Sequence, residues 1–224
     1  MTGAVQGCLL GLVDDGRIGT QGPPRADPRP AAPGAIAGAV TRRNLSAGAW
    51  VDLLPGWMRE ADALFARLCR EVDWVAEERW MYQRRVAVPR LVRFYDRSQP
   101  LPDPALEVAR DALSAHYAAT GGGEAFTTAG LCLYRDGRDS VAWHGDRIGR
   151  SATQDTMVAI VSLGAVRTLQ LRPRGGGLSL RFALGHGDLL VMGGSCQRTW
   201  DHAVPKTTGV GPRISVQFRQ PGVR

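Results

Sequence analysis

Short apolar runs and turn residues alternate along the second half of the chain. From residue 126 onward, eight runs of about five to nine residues are separated by glycine, proline and polar residues. Short strands at this spacing are typical of an all-β sandwich or barrel. The runs are TTAGLCLYR, SVAWHGD, TMVAIVSLG, RTLQLRP, LSLRFAL, DLLVMGG, RTWDHAV and RISVQFR.

Two helices are expected before these strands. AWVDLLPGW predicts a short strand that ends at Pro55-Gly56, and a helical face is predicted to follow it, comprising Trp57, Ala61, Leu64, Leu68 and Val72. Asp103 is a good N-cap for a second helix, Pro104 suits its first position, and Gly121-Gly122-Gly123 would stop it. The order of elements predicts an α+β, mainly β fold, in which N-terminal helices brace a jelly roll.

The first 48 residues differ in composition from the rest of the chain. They are rich in glycine, alanine and proline, with QGPPRADPRPAAPG as the extreme, and they contain few large apolar residues. Such a segment buries too little apolar surface to form a core of its own. We therefore predict an irregular arm over residues 1–48 and one folded domain over residues 49–224, which is long enough to bury a sizeable core.

Three side chains form a candidate metal site. His144 and Asp146 lie two residues apart at the end of a predicted strand, so period-two alternation would point both to the same face. His202 follows 58 residues after His144, which leaves room for several strands between them. Two histidines and one carboxylate, with open positions left for other ligands, are typical of non-haem Fe(II) sites.

A second pair of residues has the same spacing and competes for this assignment. His186 and Asp188 also flank a glycine, but they lie in ALGHGDLLV, at a turn between two predicted strands. Only one short connection separates them from His202. Inward-facing residues on non-adjacent strands suit a shared site better, so we favour His144 and Asp146.

The last predicted strand carries arginines on one face. Its apolar residues alternate strictly with polar ones, and the polar face comprises Arg213, Ser215, Gln217 and Arg219. Guanidinium groups inside a barrel need anionic partners, and arginine pairs bidentately with carboxylates. The strand therefore predicts a dicarboxylate co-substrate, unless it is an edge strand that faces solvent.

Composition narrows the compartment and the partners. No apolar run approaches the roughly 18 residues that span a bilayer, and the N-terminus lacks the basic and apolar regions of a signal peptide. Four scattered cysteines form no C-x-x-C pair, so reduced thiols are expected. The net charge of +7 favours polyanionic partners, DNA or RNA among them. We expect a cytoplasmic monomer with no membrane partner.

The segment between the two predicted helices mixes arginines with aromatic residues. RWMYQRRVAVPRLVRFYDRSQPLPDP contains Trp80, Tyr82, Phe94 and Tyr95 among several arginines. This mixture suits phosphate contacts combined with base stacking. It is equally typical of an edge hairpin with a solvated basic face, and the sequence leaves both interpretations open.

Taken together, these motifs resemble the AlkB family of Fe(II)- and 2-oxoglutarate-dependent dioxygenases. The similarity runs from about residue 49 to residue 219 and rests on H-x-D, a distant histidine and a closing R-x-S-x-x-x-R strand. LYRDGRDSVAWHGD, VSLGAVRTLQLR, GHGDLLVMGG and VPRLVRFY resemble further family segments. The resemblance implies a double-stranded β-helix with a nucleotide-recognition lid, here near residues 78–100, and oxidative removal of alkyl groups from nucleic-acid bases.

The resemblance also implies roles for individual residues. The implied Fe(II) ligands, which are also the catalytic residues, are His144, Asp146 and His202. The implied residues of the 2-oxoglutarate site are Arg213, Ser215, Arg219, Tyr134 and Cys132. Within that set, Arg213 would meet the distal carboxylate and Arg219 the keto-acid end. The candidate substrate contacts are Trp80, Tyr82, Arg90, Arg93, Tyr95 and Arg147.

The implied reaction is oxidative dealkylation with O2 as co-substrate. 2-Oxoglutarate is decarboxylated to succinate, a carbon on a base nitrogen is hydroxylated, and formaldehyde leaves; the protein positions the target. The chain departs from the family pattern in two places: Cys132 replaces an asparagine, and the segment 147–150 lacks the acidic residues that help repair members to recognise the damaged base. A 2-oxoglutarate-dependent hydroxylase of a protein or small molecule, and a non-catalytic nucleic-acid-binding module, remain alternatives.

Overall fold

The computed structural model describes residues 29–81, 83–121, 123–147 and 149–223, with every side chain among them except those of residues 79–81 and 84. The strands of this part of the chain are β1 Ala32–Pro33, β2 Thr41–Asn44, β3 Ala49–Leu54, β4 Met58–Arg59, β5 Val75–Met81, β6 Arg84–Tyr95, β7 Thr128–Tyr134, β8 Val141–His144, β9 Val158–Gly164, β10 Arg167–Pro173, β11 Leu180–Leu184, β12 Leu189–Gly194, β13 Trp200–Val204 and β14 Arg213–Arg219. The α-helices are α1 Ala61–Glu71, α2 Pro104–Ala119 and α3 Cys196–Thr199. All eight strands predicted after residue 126 are present.

Two antiparallel sheets face each other and form the jelly roll. The larger sheet has the strand order β2-β3-β12-β9-β14-β7-β6-β5, and the smaller has the order β11-β10-β13-β8. Apolar side chains of both sheets fill the space between them, including Ile160 and Met192 from the larger sheet and Leu171 and Leu184 from the smaller. The predicted fold class is therefore confirmed.

A second core separates the larger sheet from the helices. Leu64 of α1 and Leu106 of α2 are fully buried in it, and Ile214, Val216 and Phe218 of β14 reach it from the sheet. Alternation along a strand sends the intervening side chains to the opposite face. The polar side chains of β14 therefore point into the space between the two sheets.

The first helix begins later than the apolar spacing predicts. α1 starts at Ala61 and ends at Glu71, so Trp57 and Val72 lie outside it. Trp57 is nevertheless only 1% exposed, and its Nε1 donates to the carbonyl of Gly34 at 2.8 Å. The spacing identified buried residues correctly, but the turn after β3 and the short strand β4 occupy the positions before the helix.

The second helix is capped as the sequence predicts. The Asp103 side chain accepts a hydrogen bond from the backbone N–H of Ala105 at 2.9 Å, and Arg67 donates to its other oxygen at 2.7 Å. This cap satisfies one of the backbone donors that the first turn of a helix leaves without a partner. Among the helices that the structure describes, none combines the length and apolarity needed to cross a membrane.

The described part of the N-terminal arm is not irregular, which corrects the prediction for residues 1–48. Strand β2 pairs with β3, and Arg42 of β2 donates to both oxygens of the buried Asp52 carboxylate at 2.7 and 2.8 Å. Tyr117 donates to the same carboxylate at 2.8 Å. All residues of β2 are exposed, so backbone pairing and one ion pair hold it where apolar burial gives no signal. Residues 1–28 lie outside the described residues.

The arginine-rich segment forms a hairpin at the edge of the larger sheet. Strands β5 and β6 pair with each other, and β6 pairs on its other side with β7. The β6–β7 pairing covers only residues 91–95 of β6. The part of β6 nearer the turn therefore projects beyond β7, toward the space between the sheets.

Replacing Asp103 with alanine is expected to lower the free energy of unfolding by about 1–2 kcal/mol, because the helix cap and the ion pair with Arg67 are lost together. Urea unfolding followed by circular dichroism measures the change. Asp111→Ala is the control, because its side chain is 71% exposed on the same helix, and it should change this free energy by less than about 0.5 kcal/mol. Equal effects of the two substitutions would contradict the capping role.

Candidate active site

Two histidines face each other across neighbouring strands of the smaller sheet. His144 is the last residue of β8, and its register partner on β13 is His202. Their ring centroids lie 4.2 Å apart. The His202 side chain is 12% exposed and that of His144 is 41% exposed. One imidazole is thus held inside the protein, while the other lies at the opening of the space between the sheets.

Asp146 joins the two histidines from a loop. The sequence pattern predicted that strand alternation would place this carboxylate beside His144. Strand β8 ends at His144, however, so alternation does not by itself explain the position of Asp146. The backbone at Gly145 packs closely against its neighbours, because a Cβ there would be 3.1 Å from the carbonyl oxygen of Gln197. The Ser151 hydroxyl donates to the backbone carbonyl of Asp146. The short segment after the strand, held by these contacts, places the carboxylate beside the imidazoles.

The three side chains are close enough to share one metal ion. One ligand atom from each lies within 4.8 Å of the others, and no other group of three His, Cys, Asp or Glu side chains in the described residues does so. Asp146 Oδ1 is 3.6 Å from His144 Nε2 and 4.0 Å from His202 Nε2. This nitrogen, nitrogen and oxygen donor set suits Fe(II) with positions left for other ligands.

The electrostatics of the cluster prepare it for a cation. Burial opposes ionisation of Asp146, but the nearby charges of Arg219, His202 and His144 together outweigh it and lower the pKa of the carboxyl. Burial lowers the pKa of His202 to about 4. Near neutral pH the site therefore offers an ionised carboxylate and an unprotonated imidazole, which are the forms that bind metals.

The competing pair at residues 186 and 188 has a structural role. His186 Nδ1 accepts a hydrogen bond from the backbone N–H of Gly164 at 2.8 Å. The two oxygens of Asp188 accept from the backbone N–H groups of Gly56 and Gly185 at 2.8 and 2.7 Å. These bonds hold the turn between β11 and β12 against its neighbours. The preference for His144 and Asp146 agrees with this geometry.

A cavity of about 490 Å³ extends between the sheets from the two histidines. Residues 86–90 of β6 close one side of it, and strands β7, β8, β9 and β13 contribute the other walls. The residues of β14 that line it are Arg213, Ser215, Gln217 and Arg219. Strand β14 lies between β9 and β7 inside the larger sheet, so the alternative of a solvent-facing edge strand is excluded.

Arg213 is a buried cation at the inner part of this cavity. It is 2% exposed, its Nε donates to Ser162 Oγ at 3.0 Å, and its guanidinium carbon lies 5.2 Å from the centre of the Tyr134 ring. Burial lowers the pKa of Arg213. Among the described residues no carboxylate lies within ion-pair distance of it. Because a buried guanidinium group needs an anionic partner, a carboxylate ligand fits this position.

Tyr134 lines this end of the cavity, and Arg167, a buried residue absent from the predicted site, lies beside its ring. Burial raises the pKa of Tyr134 to about 12, so its hydroxyl keeps its proton and can donate a hydrogen bond. The Arg167 guanidinium carbon lies 5.3 Å from the same ring, and this group donates to three backbone carbonyls at 2.7 to 3.1 Å. Arg167 alternates along β10 with Leu169 and Leu171, which lie on the same strand face. This alternation was the sequence pattern that could have predicted the burial of Arg167.

Arg219 lies at the metal end of the cavity. Its Nη2 is 3.6 Å from Asp146 Oδ2 and 2.5 Å from Gln217 Oε1. Cys132 lies beside them, with its Sγ 3.6 Å from Gln217 Nε2. Gln217 was placed on the polar strand face but not among the candidate site residues, because an amide carries no charge that would single it out.

The structure does not bring the candidate substrate residues together. Arg90 lines the cavity and donates to the carbonyl of Ser140 at 3.4 Å. Arg93 is three residues further along the strand and therefore lies on the opposite face, where Tyr95 packs against the helix-side core. A substrate contact by Arg93 or Tyr95 stays a prediction, because the two residues lie on the strand face opposite to Arg90.

The other candidate substrate residues lie elsewhere or beyond description. Arg147 is half-buried in the loop after Asp146 and is not among the residues that line the cavity. The backbone of Trp80 belongs to β5, and its side chain is not described. Tyr82 lies outside the described residues. A substrate contact by these three residues therefore stays a prediction.

Residues 54–219 match the family model of the 2OG-Fe(II) oxygenase superfamily. The matched range contains the histidine and aspartate cluster, the cavity and the whole of β14. The chain belongs to the 2OG-Fe(II) oxygenase superfamily. The prediction of Fe(II) as cofactor, with 2-oxoglutarate and O2 as co-substrates, is confirmed at the level of this family.

Within that superfamily the chain is similar to AlkB homologues, which confirms the resemblance drawn from its motifs. It is 31% identical to alpha-ketoglutarate-dependent dioxygenase alkB homolog 3 from Bos taurus, in a match that covers 75% of this chain and 65% of that protein. It is 29% identical to DNA oxidative demethylase ALKBH2 from Bos taurus, over 89% of this chain and 80% of that protein. The chain thus spans less than two thirds of the length of the first relative.

The fold also matches solved structures of the superfamily. An oxidoreductase of the 2OG-Fe(II) oxygenase family from Burkholderia pseudomallei superposes with a TM-score of 0.55 at 16% identity. The match covers 77% of this chain and 87% of that structure. At this identity the similarity supports the architecture and not a shared substrate.

Substituting His202 with glutamine is expected to abolish tight Mn(II) binding, because it removes one of the three ligand atoms. The loss should exceed the ~10–100-fold that changes around a ligand typically cause. Electron paramagnetic resonance of Mn(II) measures binding without turnover. His186→Gln is the matched control and should bind Mn(II) like the unaltered protein. If Mn(II) binding were weakened in the His186 variant and unchanged in the His202 variant, the assignment would be reversed.

Proposed function

We propose that this protein is an Fe(II)- and 2-oxoglutarate-dependent dioxygenase that oxidatively removes alkyl groups from bases in DNA or RNA. The arrangement of charge in one cavity carries the proposal. Asp146 and two histidines form one end of the cavity, where His144 reaches the opening, and the buried Arg213 lines the same cavity. A ligand that chelates a metal at one end and presents a carboxylate at the other fits both positions.

Three residues would hold the iron. His144, Asp146 and His202 would provide two imidazole nitrogens and one carboxylate oxygen, and they would leave positions for 2-oxoglutarate and O2. When bound, Fe(II) with O2 and 2-oxoglutarate supplies the oxidising power, and the co-substrate leaves as succinate and CO2. Arg219 lies 3.6 Å from Asp146 Oδ2, and its charge helps to keep that carboxylate ionised.

The inner end of the cavity would hold the distal carboxylate of 2-oxoglutarate. Arg213 offers a planar fork for bidentate pairing. Ser162 accepts from its Nε, and Tyr134 makes a further side-chain hydrogen bond with Arg213, so two neighbours hold the guanidinium group in place. Tyr134 keeps its proton and Ser215 lies on the same strand face, so both can donate to the same anion. Apolar side chains such as Ile160 and Leu169 line the walls and exclude water from the reacting groups.

Three observations support a nucleic-acid substrate. The net charge of +7 favours a polyanion, the AlkB relatives include a protein named as a DNA oxidative demethylase, and the free end of the β6 hairpin lines the cavity. A base in a duplex must leave the stack at a cost on the order of a few kcal/mol. Single-stranded substrates should therefore react faster than double-stranded ones.

One observation favours a second candidate, a 2-oxoglutarate-dependent hydroxylase of a protein or small molecule. The part of β6 that lines the cavity offers a base few polar groups, because Val86, Ala87, Val88 and Pro89 are apolar and only Arg90 carries a side-chain donor. The loop after Asp146 carries Arg147 where the AlkB family has acidic residues. The same oxidation would then act on an apolar or acidic target held at this opening.

Incubation with single- and double-stranded DNA and RNA oligonucleotides that carry N-alkylated bases tests the proposal. Mass spectrometry should show loss of the alkyl mass, with one succinate and one aldehyde released per base restored. Arg213→Met should lose both products, because the distal carboxylate loses its partner.

Sustained succinate formation with every base unchanged would instead favour the protein or small-molecule hydroxylase. Absence of both metal binding and succinate formation, with salt-sensitive oligonucleotide binding intact, would favour the non-catalytic nucleic-acid-binding module.

A further inference from the structure

Gln217 presents its side-chain amide to the cavity near the metal end. It stands on the polar face of β14 between Ser215 and Arg219 and is half-buried there. Its register neighbours are Gly130 on β7 and Ile160 on β9. No acidic side chain competes for its amide among the contacts of the described residues. The amide therefore faces the space that a co-substrate would occupy.

The orientation of this amide is fixed by its neighbour on the same face. Gln217 Oε1 lies 2.5 Å from Arg219 Nη2, and a guanidinium group can only donate, so the atom that faces it must be the oxygen. The amide nitrogen then points the other way. It lies 3.4 Å from Ser215 Oγ and 3.6 Å from Cys132 Sγ. These contacts are long or involve a weak sulfur acceptor, so the N–H groups are available to a stronger one.

Gly130 makes room for this arrangement. A Cβ at this position would lie 2.7 Å from Arg219 Nη1 and 3.8 Å from Gln217 Oε1. Gly130 is not one of the glycines with a positive φ, so its backbone does not require glycine. The missing side chain leaves room for the present position of the Arg219 guanidinium group, which a Cβ at residue 130 would displace.

The amide lies where the site otherwise lacks one. By the resemblance, Cys132 occupies the position at which the AlkB family has asparagine, and a thiol is a weaker hydrogen-bond donor than an amide. Gln217 Nε2 reaches to 3.6 Å from the Cys132 sulfur from the neighbouring strand. An amide donor is thus present at that place in the cavity, carried by a different strand.

We propose that the Gln217 amide binds 2-oxoglutarate, donating an N–H to one of its carboxylate oxygens in place of the asparagine that Cys132 replaces. The inference rests on the proposed function, because it assumes that 2-oxoglutarate occupies this cavity. Hydrogen bonds to an ionised acceptor are stronger than those between neutral groups, so the carboxylate would replace the weak contacts to Ser215 and Cys132. Arg219 orients the amide and leaves its donors directed at the ligand.

The experiment measures anaerobic binding of 2-oxoglutarate to the Mn(II)-loaded protein by calorimetry, without turnover. Gln217→Leu should weaken this binding by about 10-fold or more, the usual effect of losing a hydrogen bond to a charged group. Mn(II) binding without 2-oxoglutarate should stay unchanged, which also shows that the variant is folded. Gln170→Leu is the matched control, because Gln170 lies on β10 between two residues that face the inter-sheet core, and it should bind 2-oxoglutarate normally.

Addition of Cys132→Asn to the Gln217→Leu protein separates binding from support of Arg219. An asparagine at residue 132 restores an amide donor but not the acceptor for Arg219, so recovery of 2-oxoglutarate affinity supports the proposal. If the double variant binds 2-oxoglutarate as weakly as Gln217→Leu does, the proposal is overturned in favour of a role of Gln217 in holding Arg219. If Gln217→Leu alone binds 2-oxoglutarate like the unaltered protein, the proposal is also overturned. Gln217→Met, which keeps the length of the side chain, is the second variant if leucine prevents folding. Failure of the unaltered protein to bind 2-oxoglutarate would instead overturn the proposed function.

Discussion

Charged side chains inside the space between the two sheets must find partners there, and this requirement shapes the whole site. Arg167 finds them in three backbone carbonyls. Asp146 finds them in Arg219 and the two histidines. Arg213 is equally buried, yet among the described residues it has a hydroxyl and a tyrosine ring beside it and no carboxylate. Since burying an uncompensated charge is costly, this imbalance fits a protein that folds around a place for an anion.

The alternation of one strand connects this electrostatic requirement to the fold. Strand β14 sends its apolar residues into the core beneath the helices and its polar residues into the cavity. The helices are therefore part of the site's support, because they bury the apolar face and so fix the polar one. The smaller sheet supplies the histidines, whose register across β8 and β13 places the two rings 4.2 Å apart.

The strands after residue 126 and the candidate metal site could be predicted from the sequence, because both follow from short-period patterns. Alternation in β14 predicted the polar face, and the H-x-D spacing with His202 predicted the metal cluster. Contacts made by the backbone could not be predicted from the sequence. The segment that places Asp146 beside the histidines and the pairing of β2 with β3 produce no pattern of apolar residues. Composition alone did not separate Arg90 from Arg93 and Tyr95, which the strand period places on the opposite face of β6.

The claim that the buried charge of Arg213 is a binding site for a carboxylate is tested most directly by comparing two 2-oxo acids that differ only in the distal carboxylate. Binding of 2-oxoglutarate and of 2-oxopentanoate to the Mn(II)-loaded protein would be measured anaerobically by calorimetry, before and after the change Arg213→Met. A buried charge pair predicts that the unaltered protein prefers 2-oxoglutarate by roughly 10-fold or more, and that this preference disappears in the variant. An equal preference in both proteins would contradict the assignment of Arg213 to the distal carboxylate, and with it the account of why the cavity is built as it is.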